Sequence, residues 1–206
     1  MISIIDYNAG NPTSVQNMLK RLGVNDSLIT SDSLKINNSD KIILPGVGSF
    51  DYCISQLENL DLIKILNHNV LKIKKPILGI CMGMQMMAKC SQEGEKKGLG
   101  WIEGEVLKLK SNTNLPVPHM GWNKLQKGQN NFVFQDLEYD NSKFYFAHSY
   151  YFNVSNSSDV VAYTQYGKKF PSIISKNNIY GVQFHQKKVI DGAFYCLKNL
   201  LICKND

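Results

Sequence analysis

Residues 76–88 read PILGICMGMQMMA, and the turn at the centre of that stretch decides the fold. An apolar segment runs into Gly79-Ile80-Cys81-Met82-Gly83, and helical sequence starts at once. G-x-C-x-G is the cysteine form of the sharp strand-to-helix turn that lifts a nucleophile above the end of a sheet. Glycine is needed there because the turn is tight and neighbouring backbone passes close to the nucleophile. The helix start behind Cys81 is expected to lower the thiol pKa and to offer N–H groups to a developing oxyanion. A glycine-flanked cysteine buried in a core is the alternative reading of the same residues.

Working upstream, the pattern repeats. ISII (2–5) reads as a short buried strand, followed by the loop DYNAGN and a helix entered at Pro12. Val15, Met18, Leu19 and Leu22 recur at helical spacing, and Gly23 stops them. DSLIT (26–30), KIILPG (41–46) and KKPILGI (74–80) read as further strands. Two helical stretches lie between the last two, one carrying Phe50, Ile54 and Leu57, the other Leu62, Ile65, Leu66 and Val70. Strand and helix in alternation with short connections predict an α/β fold with a mostly parallel sheet.

Downstream the character changes. GEVLKL, HMGWNKL, KFYFAHSYYF, VVAYTQYG and SIISKNNIYGVQF are strand-like, with a hairpin turn expected at Asn177-Asn178. These add antiparallel strands to the C-terminal half. A last helix is expected to carry Ala193, Phe194, Leu197, Leu200 and Leu201 on one face. A chain of 206 residues without repeats or linkers reads as one domain, 1–206.

Composition narrows the function. The net charge is +6, but Arg21 is the one arginine and the lysines are scattered. Bidentate recognition of phosphates and bases favours arginine, so no nucleic-acid partner is expected. No apolar run is long enough to span a membrane, and MISIIDYNAGN lacks the basic start of a signal peptide. Five cysteines with no C-x-x-C pair point to reduced thiols in a cytoplasmic protein, with neither a disulfide framework nor a metal site.

Two further stretches bear on chemistry. LPGVGSF (44–50) follows a strand and lacks both the G-K-[ST] and the G-x-G-x-x-G patterns of phosphate binding. Beside a thiol nucleophile, N–H groups near Gly46, Val47 and Gly48 can complete an oxyanion hole together with that of Met82. GVQFH (181–185) delivers His185 to the end of a strand, where a mostly parallel sheet can bring it to Cys81. His119 and His148 compete with it by residue type, and His68 is expected on a solvated helix face.

These motifs together resemble the glutamine amidotransferase subunit of imidazole glycerol phosphate synthase, a class I, triad-type glutaminase family of histidine biosynthesis. The resemblance runs through IIDYNAGN, LPGVGSF, LGICMGMQ, GLGWIEGEV, VPHMGWNKL, YFAHSYYF and GVQFH, nearly the whole chain in order. G-I-C-x-G-x-Q marks class I amidotransferases broadly, whereas PHMGWN with HSYY is specific to this subfamily. The resemblance implies that Cys81 attacks the amide of glutamine, forming a thioester, and that His185 moves the protons. It implies that Gln85 and the backbone at Ser149 and Tyr150 hold the glutamine. It implies no cofactor, and a heterodimer with a (β/α)8-barrel cyclase subunit that receives the ammonia, with Trp122 and Tyr145 at or near the interface.

The family reads F-H-P-E where this chain has Phe184-His185-Gln186-Lys187. The glutamate that would orient the histidine is absent, and Lys187 disfavours an imidazolium by like-charge repulsion. Losing the acid of a serine triad costs about 10⁴ in rate, while thiol sites depend less on it. A weakened glutaminase is therefore expected, with Asp191 the nearest acid in sequence to act as a substitute. Three rival readings stand beside it. One is a paralogue supplying ammonia for sugar amidation in surface-glycan synthesis, another a catalytically silent docking subunit. The third, a thiol α/β-hydrolase, accounts for G-x-C-x-G but not for PGVGSF or PHMGWN.

Overall fold

The structure, a computed structural model, describes residues 1–110, 115–131, 134 and 142–185. The first half alternates strand and helix: β1 (Ile2–Ile5), α1 (Pro12–Arg21), β2 (Ser27–Thr30), α2 (Ser33–Asn38), β3 (Lys41–Gly46), α3 (Phe50–Asn59), α4 (Leu62–Asn67), β4 (Ile77–Cys81) and α5 (Met82–Gln85). A single π-helical turn, His68–Lys72, extends α4 and leaves His68 exposed. The second half is strands: β5 (Cys90–Ser91), β6 (Gly104–Lys108), β7 (His119–Lys124), β8 (Gln126–Lys127), β9 (Lys143–His148), β10 (Tyr150–Val154), β11 (Val160–Tyr166), β12 (Lys168–Lys176) and β13 (Ile179–Val182).

Eight strands form one sheet in the order β2-β1-β3-β4-β13-β12-β11-β8. The five from β2 to β13 are parallel, and β12, β11 and β8 continue it antiparallel. The expected α/β class and mixed sheet are found. The expected hairpin turn joins β12 to β13, with Asn177 at φ +54°, a conformation asparagine tolerates. Successive residues of the central strands are buried on both faces. Ile43 and Leu78 enter one apolar cluster, while Ile42, Leu44 and Ile77 enter the other. That two-sided burial explains why these strands read as unbroken apolar runs.

Three details differ from expectation. First, α2 was not foreseen; it is short, buries only Ile36 and starts where Asp32 accepts from the Leu34 and Lys35 amides. Second, α5 is a single turn, not a long helix. The segment 99–101 takes the carbonyls of Met86, Met87 and Ala88, so those apolar residues pack as a buried turn. Third, KFYFAHSYYF breaks at Ser149: β9 pairs with β7, whereas β10 pairs with β6 in a separate three-stranded sheet. The expected last helix lies outside the described residues, as do Gln186, Lys187 and Asp191.

Candidate active site

Cys81 ends β4 at φ +54°, ψ −109°, then α5 begins at Met82. A positive φ is strained for any side chain, and such strain is retained where the surroundings over-determine it. Those surroundings are glycines. In the β3–β4 register Gly46 lies opposite Cys81. A Cβ on Gly46 would come 2.7 Å from Met82 Cβ and 2.8 Å from its carbonyl carbon. On Gly79 it would come 2.6 Å from the Gly83 oxygen. The sheet and the turn thus approach closely only because side chains are missing at both positions.

The sheet order places β13 beside β4, with Val182 opposite Ile80. Past the end of β13 the chain carries His185 to a bridge with Tyr145 of β9, whose carbonyl accepts the His185 amide at 2.9 Å. Cys81 and His185 consequently share one pocket of about 230 Å³, together with Val47, Gly48, Met82, Gln85, Ser149 and Tyr150. Every residue expected in the site except Gly46 lines this pocket. Gly46 sits behind the elbow, against Met82 and Gly83.

The electrostatics correct one expectation. Burial pushes the Cys81 thiol up to about 12, although the Met82 amide and the Gln183 side chain pull the other way. The helix start does favour the thiolate, but one turn of helix is outweighed by loss of water. At neutral pH the thiol is held protonated, so attack needs a base that removes the proton.

Two rival histidines are accounted for by their partners. His148 Nδ1 lies 2.8 Å from the Tyr150 carbonyl, which only accepts, so that nitrogen carries hydrogen. His148 Nε2 then accepts from His119 Nδ1 at 3.2 Å, and His119 Nε2 faces the Asn123 amide nitrogen at 3.4 Å. Burial lowers His148 to about 3 and His119 to about 4, holding both neutral. Both ring nitrogens of each are thus engaged within the fold.

Two polar residues in this region carry no signal in the sequence patterns. Gln183, fully buried, donates to Cys81 Sγ at 3.7 Å and accepts from Gln85 Nε2 at 3.0 Å. It lies just past the end of β13, two residues before His185. Glu93 lines the pocket as its carboxylate. Its Oε2 accepts from the Phe50 amide at 2.8 Å, and Asp51 accepts from the Glu95 and Lys96 amides at 3.0 Å each. Burial raises the Glu93 pKa, against the Phe50 hydrogen bond. Only long-range packing on α3 brings this loop to the pocket.

Gln85 Nε2 donates to the Tyr150 carbonyl at 2.8 Å as well as to Gln183, which fixes the orientation of the amide. Its Oε1 is buried and has no hydrogen-bond partner among the described residues. The Ser149 carbonyl is taken by the Leu109 amide at 2.8 Å. Contacts of residues 149 and 150 with a bound molecule therefore fall to their N–H groups and side chains. Cys53 and Cys90 are free thiols, Cys90 on the strand β5. No group of three metal-ligating side chains occurs among the described residues.

The chain matches the class-I glutamine amidotransferase family over residues 3–188. It is 45% identical over 188 residues to the imidazole glycerol phosphate synthase subunit HisH 2 of Methanococcus maripaludis, covering 91% of this chain and 92% of that one. It is 39% identical over 202 residues to the subunit HisH of Leptospira interrogans, covering 97% and 98%. A crystal structure of a glutamine amidotransferase superposes with a TM-score of 0.73 at 17% identity, over 98% of this chain and 99% of the other. That last likeness speaks for the fold alone.

Proposed function

The chain belongs to the class-I glutamine amidotransferases, among them to the HisH subunits of imidazole glycerol phosphate synthase, and on that premise we propose that it hydrolyses glutamine at Cys81 and hands the ammonia to a cyclase subunit. The observation that carries the reading is the strained Cys81 turn in one pocket with His185 and the Val47–Gly48 backbone.

His185 takes the Cys81 proton as sulfur adds to the side-chain carbonyl of glutamine. The oxyanion that forms lies beside the N–H groups of Met82 and the Val47–Gly48 loop. The Met82 amide, already turned to the sulfur, is placed to follow the charge as it moves to oxygen. Collapse breaks the carbon–nitrogen bond, and His185 returns its proton to the leaving nitrogen, which departs as ammonia. The γ-glutamyl thioester remains. Water, losing a proton to His185, adds to it, and a second collapse releases glutamate and restores the thiol.

The amino-acid end of the substrate needs opposite charge and open acceptors. Glu93 supplies a carboxylate and Gln85 Oε1 an unfilled acceptor for its ammonium group, and the N–H groups of Ser149 and Tyr150 face its other polar atoms.

Free ammonia would be protonated near neutral pH and would cease to be a nucleophile, so it must be passed on under cover. The pocket mouth favours such a handover. Val47 and Met120 on its wall are 50% and 64% exposed, and Trp122, two residues beyond Met120 on β7, is 44% exposed, packed edge-on against Tyr145. An apolar rim around an open pocket fits a docking face, and the (β/α)8-barrel cyclase is the partner proposed for it.

The test is glutamine hydrolysis by the purified chain, with and without the barrel partner. Partner-stimulated turnover that Cys81→Ala abolishes is expected. Turnover that survives Cys81→Ala contradicts the reading.

A further inference from the structure

The mechanism leaves two buried reactive groups unused, and both touch the loop that carries the oxyanion donors. Tyr7, in the loop after β1, is fully buried, and its hydroxyl donates to the Pro45 carbonyl at 2.6 Å. Cys53, in the first turn of α3, is also fully buried, and its thiol donates to the Val47 carbonyl at 3.7 Å. The phenol and the thiol each give their one hydrogen to a carbonyl of this loop. Two alternate peptide units of Pro45-Gly46-Val47-Gly48 are thus anchored from beneath by one small polar pair.

A trans peptide is planar, with its carbonyl and its N–H pointing to opposite sides. A Val47 carbonyl drawn inward to Cys53 therefore turns the Gly48 amide away from the interior. Val47 and Gly48 both line the pocket that Cys81 lines. Gly48 itself is at φ +121°, and a Cβ there would stand 3.8 Å from Cys53 Sγ. Only a glycine backbone rotates freely enough to need such a guide. A thiol is a weak donor, but a buried carbonyl has given up its water, so a weak donor still decides between two orientations of the unit.

We propose that Cys53 and Tyr7 are positioning residues for the oxyanion site, holding the Val47–Gly48 peptide with its N–H toward the reacting carbonyl. The inference rests on the glutaminase reading above. It extends the site to residues that never touch substrate. The Phe50 amide at the same end of α3 holds Glu93, so this one helix start serves both the oxyanion loop and the carboxylate that would meet the substrate's ammonium group.

The test uses the complex with the barrel partner and compares wild type, Tyr7→Phe, Cys53→Ala, Cys53→Ser and Cys81→Ala. Tyr7→Phe keeps the ring and removes the donor; Cys53→Ser keeps a donor. Misorienting an oxyanion donor costs less than deleting one, so Tyr7→Phe and Cys53→Ala are each expected to lower kcat about tenfold with KM nearly constant. Cys53→Ser is expected to recover most of the loss. Thermal unfolding identifies any variant that does not fold, and Tyr7→Phe then carries the test alone. Unchanged kcat in both Tyr7→Phe and Cys53→Ala, or a Cys53→Ser as slow as Cys53→Ala, overturns the proposal while Cys81→Ala remains dead. Hydrolysis that persists in Cys81→Ala overturns the glutaminase reading itself.

Discussion

Gly83 lies so close under Leu44 that a Cβ placed on it would overlap the Leu44 carbonyl oxygen. That contact seats the turn after Cys81 against β3, and with it the nucleophile against the Val47–Gly48 loop. Gly83→Ala must push the two apart. Overpacking of this kind costs about 1–3 kcal/mol. Urea unfolding is expected to show a loss in that range, with glutamine hydrolysis falling more than stability alone accounts for. A Gly83→Ala chain as stable as the parent contradicts the close packing.

Glu93 is the carboxylate on the pocket wall, held by the Phe50 amide. Glu93→Gln keeps the shape and the acceptor but removes the charge that would face an ammonium group. The KM for glutamine is expected to rise by about tenfold or more, with kcat less affected. Steady-state kinetics of the complex check this. A fall in kcat alone would assign Glu93 to the chemistry instead.

Burial holds His148 near 3, below its ordinary value of 6.5. A histidine kept neutral in the fold contributes stability that is present above pH 6.5 and lost as pH falls through 3, because the unfolded chain takes up the proton first. Between pH 7 and pH 5 this loss is about 2 kcal/mol. Urea unfolding at the two pH values is expected to show a smaller difference in His148→Gln than in the parent. Equal differences would mean that the imidazole is not held neutral.

The resemblance implies an orienting glutamate at the position where this chain has Lys187. Lys187→Glu is expected to raise kcat by about tenfold, since the imidazolium gains an anion and loses a cation. Hydrolysis measured on the two chains with the same partner checks it. No gain would mean that the proton shuttle does not depend on this position.

Legibility in the sequence followed the range of the interaction. The Cys81 turn, the buried parallel strands and the Asn177-Asn178 hairpin each announce themselves within a few residues, through glycine spacing, apolar runs and turn chemistry. His185 could be placed because β13 is adjacent to β4 in a parallel sheet. Glu93 and Gln183 could not, since what brings them to Cys81 is contact with α3 and Gln85, far away in sequence. The same limit explains the error over the thiol. A helix start is visible locally, whereas the burial that raises Cys81 to about 12 belongs to the assembled sheet. The break at Ser149 was invisible for a similar reason, because β9 and β10 are equally strand-like and differ only in their partners.

The central claim is covalent, and so is its most direct test. The complex is acid-quenched during turnover of isotopically labelled glutamine, digested, and its cysteine peptides are read by mass spectrometry. A labelled γ-glutamyl group on Cys81, absent from Cys81→Ala and from chain given no glutamine, is the predicted result. Hydrolysis in full progress with the label on another cysteine, or on none, would contradict it.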